Sequence, residues 1–190
     1  SKDGKFKWNS SFGVYYKIPT YTSLGFKNTS GIFINRKNKY TKSEHVVTGF
    51  DYSLGAASKI SIEGFLKKYS QYPISVLDGV SLANKGADFE VLGNEEIISN
   101  GEGKTYGLEF LFQQKLLNNF YGIFSYTYFH SKFSGLTGEY LPSVWDSRNL
   151  ISFVGGYKLQ RNWEISSRWR YLGETPYAVS YTHLRAHETS

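Results

Sequence analysis

Cysteine is absent from the 190 residues, which excludes a disulfide scaffold, a CxxC redox site and any zinc site built on thiolates. Charge is sparse, at 20% Asp, Glu, Lys and Arg, and there are only 4 prolines. The mean hydropathy is −0.41 and no long apolar run occurs, which excludes a membrane-spanning helix. It does not exclude a membrane-spanning barrel, whose strands turn only alternate residues to lipid. The opening Ser1-Lys2-Asp3-Gly4-Lys5 leads into no basic-then-apolar leader, so a removed signal or a truncated start is expected. What the chain has instead is aromatics, at 18%, led by 16 Tyr and 14 Phe, together with 19 Gly. Such a composition excludes disorder and favours β-structure.

Period-2 alternation is clearest over Asn162–Leu172. Trp163, Ile165, Ser167, Trp169 and Tyr171 share one face, and Glu164, Ser166, Arg168 and Arg170 share the other. Six more segments alternate in the same way, carried by Trp8/Phe12/Val14/Tyr16, Val46/Phe50/Tyr52/Leu54, Ile60/Ile62/Leu66, Tyr106/Leu108/Phe110/Phe112, Phe124/Tyr126/Tyr128 and Ile151/Phe153/Tyr157. The connections alternate long and short. Pro19–Glu44 and Ser70–Gly103 are long and Phe133–Asp146 is medium-long; Gly55–Ser58, Leu117-Asn118-Asn119 and Leu159–Arg161 are tight. Short turns at one end and long loops at the other are the pattern of an outer-membrane barrel and not of a soluble sandwich.

Strands of roughly 11 residues at about 45° tilt span the roughly 25 Å apolar band of such barrels. Aromatics near predicted strand ends, at Trp8, Tyr16, Tyr69, Phe120, Tyr121, Tyr157, Trp163 and Tyr171, suit interfacial girdles. Seven strands leave two bare edges that hydrocarbon does not tolerate. The expectation is therefore an all-β chain, an antiparallel transmembrane β-barrel fragment of about seven strands from a larger barrel.

The strand pairs also carry a text. It runs Gly107-Leu108-Glu109-Phe110, Gln114-Lys115-Leu116, Phe120-Tyr121-Gly122 and Ser125-Tyr126-Thr127-Tyr128. Then come Ser143-Val144-Trp145-Asp146-Ser147-Arg148, Gly155-Gly156-Tyr157-Lys158, Asn162-Trp163-Glu164 and Arg168-Trp169-Arg170. Tyr15–Pro19, Ile62–Phe65 and Lys67-Lys68-Tyr69 fit upstream. Over residues 8–178 this resembles the later part of the β-barrel of TonB-dependent outer-membrane receptors of the carboxypeptidase-regulatory-like-domain type. Asn149, where His is common, and Gly173-Glu174-Thr175-Pro176-Tyr177 depart from the pattern.

The resemblance implies a 22-stranded barrel, of which this chain holds about a third, in the cell outer membrane of a Gram-negative bacterium. It implies energised uptake of a scarce nutrient, of the siderophore, cobalamin, glycan or peptide class, and no enzymatic activity or cofactor. Expected partners are outer-membrane lipids and lipopolysaccharide, a small nutrient ligand and, only through an N-terminal plug not contained in this chain, the TonB complex; nucleic acid is not among them. A passive porin or an autotransporter barrel is the alternative, and an outer-membrane enzyme a more distant one. Val179–Thr189, VSYTHLRAHET, resembles the translation of a transposase sequencing adaptor. Residues 1–178 are thus expected to be the partial barrel domain and 179–190 a non-native tail, which sets aside the His183/His187 pair as a zinc site.

No catalytic, cofactor-binding, metal-ligating or ligand-contacting residue is assigned. Glu164, Arg168 and Arg170, with Asp146 and Arg148 placed on the strand before, read as an ion-pair ladder in a wet lumen rather than a substrate path. Asp78, Asp88, Glu90, Glu95 and Glu96, beside Asn84 and Lys85, read as a solvated loop rather than a ligand surface or calcium site, since EF-hand spacing is missing. Ser99–Lys104 reads as loop-to-strand punctuation, not as a phosphate loop. The net charge of +6 is scattered, and its densest cluster, Arg36–Lys42, lies in a predicted outer loop where lipopolysaccharide phosphate is the plausible contact. His45 and His130, both near the extracellular rim, are the imidazoles available to an enzymatic reading.

Overall fold

The computed structural model describes residues 5–85 and 92–176. Among them the strands are β1 (Phe6–Lys17), β2 (Thr41–Ser53), β3 (Ser58–Ser75), β4 (Ile97–Leu117), β5 (Phe120–Ser134), β6 (Tyr140–Pro142), β7 (Asn149–Lys158) and β8 (Glu164–Leu172). They form one antiparallel sheet in the order β1-β2-β3-β4-β5-β7-β8, with β6 paired to the upper end of β5. The sheet is open: β1 and β8 are its two edges.

Register converts the sequence alternation into two faces. One row across all seven long strands runs Trp8–Phe50–Ile62–Phe110–Tyr126–Ile151–Tyr171. The row below it is Phe6–Tyr52–Ile60–Phe112–Phe124–Phe153–Trp169. Between these rows, on the opposite face, run Lys7, Asp51, Ser61, Leu111, Ser125, Ser152 and Arg170. Because side chains alternate strictly along a strand, a slip of one residue would exchange the faces. In a transmembrane barrel the apolar set is the lipid side and the polar set the lumen side. On the lumen side Asp51 is bridged by Lys59 at 3.0 Å and accepts a hydrogen bond from Ser61.

The three tight turns lie at one end. Asn118 and Asn119, at φ 50° and 69°, are both left-handed, the conformation that a two-residue hairpin needs and Asn tolerates. Arg161 and Asn162, both at φ 61°, close the β7–β8 turn, and so β8 begins at Glu164 rather than at the expected Asn162. The long loops, residues 18–40, 76–96 and 135–148, gather at the other end. They hold elements not foreseen from sequence: α1 (Tyr21–Gly25), capped by Thr20 on the Ser23 N–H, a 3-10 turn at Ile34–Lys37, and β6.

β3 and β4 are 18 and 21 residues long and rise well into the expected loop. Ser99–Lys104 is strand, not loop. A Cβ on Gly101 would stand 2.7 Å from the Tyr72 carbonyl oxygen, and one on Gly103 would collide with the Phe133 ring, so these glycines make room for what packs across them. The ladder bulges between Tyr69 and Tyr72, with Gln71 at φ 58°.

The buried apolar residues, Ile74, Leu82, Ala83, Ile97 and Phe133, all lie at the loop end. Around them the loops are tied by polar side chains. Asn35 donates to the Ser23 and Glu95 carbonyls and accepts from the Ile97 N–H. Asn38 donates to the Ile97 carbonyl, and Asn84 to those of Leu141 and Pro142. Asn35, a buried amide with its donors and acceptor matched, fixes the loop path as firmly as apolar packing does.

Candidate functional site

Six aromatic rings collect at the loop end of the lumen face. Tyr15 packs on His45 at 4.7 Å between ring centroids, and His45 lies 6.4 Å from Tyr69. Tyr69 and Tyr72 both meet Phe133, at 5.2 and 4.5 Å, and Phe133 meets Trp145 at 5.7 Å. Strand register places them: Tyr15 faces Ser43, Ser43 faces Tyr69, Tyr69 faces Gly103, and Gly103 faces Phe133. Glycine at 103 lets the Phe133 ring lie down over the strand, toward the cavity. The cavity itself is about 420 Å³. Its wall adds Ser43, Thr41, Lys17 and, from the loops, Ile18, Pro19, Leu82 and Leu92.

Hydrogen bonds fix the far side. Trp145 Nε1 donates to Ser131 Oγ at 3.0 Å, Ser131 Oγ meets Thr105 Oγ1 at 2.9 Å, and the Ser131 N–H donates to Asp146 Oδ1 at 2.9 Å. An apolar, ring-lined hollow with a few hydroxyls at its margin stacks a flat or ring-bearing ligand and orients it through the hydroxyls.

His45 sits inside this cluster, its Nε2 2.5 Å from Ser43 Oγ. No carboxylate joins that pair among the described residues, so it lacks the third member that orients a catalytic imidazole. His130 is at the rim as expected but on the lipid-side face, in the row of Val46, Leu66 and Tyr106. Its Nε2 meets Tyr128 OH at 2.9 Å and its Nδ1 lies 3.8 Å from Asp146 Oδ2. The sheet therefore separates the two imidazoles.

The proposed lumen ladder is not formed. Asp146 and Arg148 precede β7 instead of lying on it; Asp146 is buried in the loop core and Arg148 takes a left-handed turn at φ 58°. Glu164 accepts a hydrogen bond from Tyr121 OH, and no ion pair reaches Arg168 or Arg170 among the described residues. Tyr69 and Tyr121, expected in the interfacial girdle, have lumen register: Tyr69 faces Gly103, and Tyr121 faces Gly156.

Of the loop carboxylates, Asp88 and Glu90 lie outside the described residues, as do Tyr177, the 179–190 tail and its His183 and His187. Asp78 and Glu95 are engaged with each other's neighbour: Lys85 Nζ contacts both, at 2.8 Å each, and Ser75 Oγ donates to Glu95. Burial opposes ionisation of Asp78, but hydrogen bonds from Lys85, the Val80 N–H and Ser75 outweigh it and hold its carboxyl below the usual range. Burial likewise opposes the Lys85 charge, and the two carboxylates outweigh it and raise its pKa.

The signs follow. Asp78 stabilises the loop above its ordinary pKa of about 3.9, and that contribution disappears as pH falls through the lower folded value. Lys85 stabilises it below about 10.4, and that is lost as pH rises through the raised value. Hydrogen exchange over residues 75–85, corrected for intrinsic chemistry, should be flat between those limits and rise at both ends; a single change near neutral pH would contradict the tie.

No family model matches the chain, and no curated protein matches it. Solved structures do. The ferric-catecholate import receptor Fiu from K12 E. coli matches with a TM-score of 0.64 at 12% identity, over 89% of this chain and 22% of that one. The copper transporter OprC matches at 0.60 and 17%, over 90% and 25%. The pyoverdine outer membrane receptor FpvA from Pseudomonas aeruginosa PAO1 matches at 0.60 and 14%, over 90% and 23%. The sheet has the fold of the barrel wall of outer-membrane receptors, and the chain spans about a quarter or less of their length.

Proposed function

We propose that this sheet is part of the barrel of a TonB-dependent receptor in the Gram-negative outer membrane, and that the intact protein drives energised uptake of a scarce nutrient. The observation that carries the reading is the pairing of a lipid-side apolar face with a polar lumen face whose loop end holds the ring-lined cavity. The solved structures of the same fold bear the names of a ferric-catecholate import receptor, a pyoverdine receptor and a copper transporter, which supports transport as the class of activity. The cavity is where ligand first meets this part of the wall: rings from β1, β2 and β3 stack it, the buried Phe133 ring backs them, and the Ser43 and Thr41 hydroxyls orient it.

The test uses the full-length protein in its own outer membrane. Labelled ferric chelates, cobalamin, oligosaccharides and peptides are offered to cells with and without TonB. One class should accumulate only when TonB is present and the inner membrane is energised. For that ligand, Tyr15→Ala with Tyr69→Ala should raise the Kd about 5- to 150-fold, from loss of about 0.5–1.5 kcal/mol per ring contact. Accumulation that ignores both TonB and energy would make the protein a passive pore.

A further inference from the structure

On the lipid-side face the charged side chains are confined to the loop end. One register row there runs Glu44–Lys68–Lys104–Lys132, across β2, β3, β4 and β5. The row beneath it is Val46–Leu66–Tyr106–His130, and below that the apolar band continues to Ser58 and Gln114 at the turn end, without charge. Three lysines thus stand directly opposite one another on adjacent strands, spaced by about 4.8 Å of strand separation.

Like charges in that relation repel, and sheets avoid them unless something compensates. The acidic neighbours are already engaged. Glu44 is bridged to Lys42 at 2.6 Å, and Glu102 accepts from Tyr140 OH at 2.9 Å. Among the described residues no ion pair involves Lys68, Lys104 or Lys132. The Tyr140 ring lies under the Lys104 ammonium, 4.6 Å from ring centroid to Nζ.

We propose that Lys68, Lys104 and Lys132 form a seat for the phosphate of an anionic lipid in the outer leaflet, a phosphorylated glycolipid whose acyl chains lie along the apolar face below. The proposal rests on the outer-membrane reading above. Position selects the occupant: the row points away from the lumen and stands at the upper border of the lipid-side apolar surface, where a headgroup reaches and a lumenal ligand does not. Chemistry agrees, since three ammonium groups in a line match the spread charge of a phosphorylated sugar headgroup better than a single carboxylate. Lys42, at the start of β2, stands one row above and is bridged to Glu44.

The experiment takes the full-length barrel in nonionic detergent and titrates it with lipid A carrying its phosphates, with dephosphorylated lipid A and with inorganic phosphate, reading bound lipid by native mass spectrometry. Heat-modifiable migration is checked for each variant. Each lysine at an anionic surface is worth about fivefold, so Lys68→Gln/Lys104→Gln/Lys132→Gln should weaken lipid A binding about 100-fold. Dephosphorylated lipid A should bind wild type about as weakly as lipid A binds the triple variant, and about millimolar inorganic phosphate should not compete. The lumen variant Arg168→Gln/Arg170→Gln should bind lipid A like wild type.

Unchanged lipid A binding by a heat-modifiable triple variant would overturn the seat and leave the outer-membrane reading standing. So would equal binding of both lipids, or competition by free phosphate. A protein that stays monodisperse without detergent would overturn the outer-membrane reading itself.

Discussion

Phe110→Arg in the full-length barrel should cost about 2–4 kcal/mol of folding stability, while Leu111→Arg, one residue along, should cost no more than about 1 kcal/mol. Neither residue's hydrophobicity predicts this contrast; their register does. On the lipid-side face of β4 the residues run Lys104, Tyr106, Leu108, Phe110, Phe112 and Gln114, so Phe110 lies near the middle of the apolar band. Its row is Ile62 on one side and Tyr126 on the other, and its ring meets Phe124 at 6.2 Å. A guanidinium there faces hydrocarbon, too far from either interface to reach water in full. Leu111 sits between Ser61 and Ser125, in the row that holds Asp51, where a guanidinium finds water and an acidic neighbour. Reversible unfolding from phospholipid vesicles, followed by tryptophan fluorescence, gives both values. Equal penalties, or a larger one at Leu111, would mean that the faces are exchanged.

The faces were legible in the sequence because a barrel strand writes its environment with a period of two. The apolar residues assigned to one face in each of the seven segments, Trp8 with Phe12, Ile60 with Ile62, Phe124 with Tyr126, and Ile151 with Phe153 among them, share that face in the sheet. The long and short connections also fall as expected, with Asn118-Asn119 supplying the turn chemistry. Above the apolar band this signal ends, since strands standing in water need not alternate. That is why the upper parts of β3 and β4, around Tyr72 and Gly101, read as loop.

The cavity escaped for a related reason. Its six rings come from β1, β2, β3, β5 and the loop that carries Trp145, and no short sequence window holds more than two of them. One signal was available. Tyr15, Tyr69 and Phe133 are aromatic at positions out of phase with the lipid face of their own strands. An aromatic on a polar face has a partner other than lipid. Tyr69 was read by its nearness to a strand end, which cannot tell a girdle from a lumen; parity with Ile62 and Leu66 can. Asp146 shows the opposite limit. Its buried bond to the Ser131 N–H joins residues 15 apart through a loop path that only the fold supplies.

The 190-residue chain on its own should form no closed, heat-modifiable barrel in detergent or lipid, and should aggregate in aqueous buffer. The seven long strands pair across six interfaces and leave the β1 and β8 edges bare, 12 and 9 residues long. In hydrocarbon each unpaired N–H or C=O costs several kcal/mol, so those edges must find another chain or stay out of the bilayer. Curling β1 round to β8 is not an escape, because strand number, tilt and shear must agree, and seven strands set for a wide wall lack the curvature. Water offers no better state. Trp8, Phe12, Phe50, Ile62, Leu108 and Trp169 are all exposed on one face, and the buried apolar cluster at the loop end is too small to offset that surface. Edge pairing and apolar association then act together, each bringing chains into the register that the other needs. Light scattering and circular dichroism decide the matter: β-rich aggregates are the expected result. A monodisperse monomer unfolding cooperatively in buffer would show that the apolar face is covered by some means other than lipid, and with it the membrane assignment of this sheet would fall.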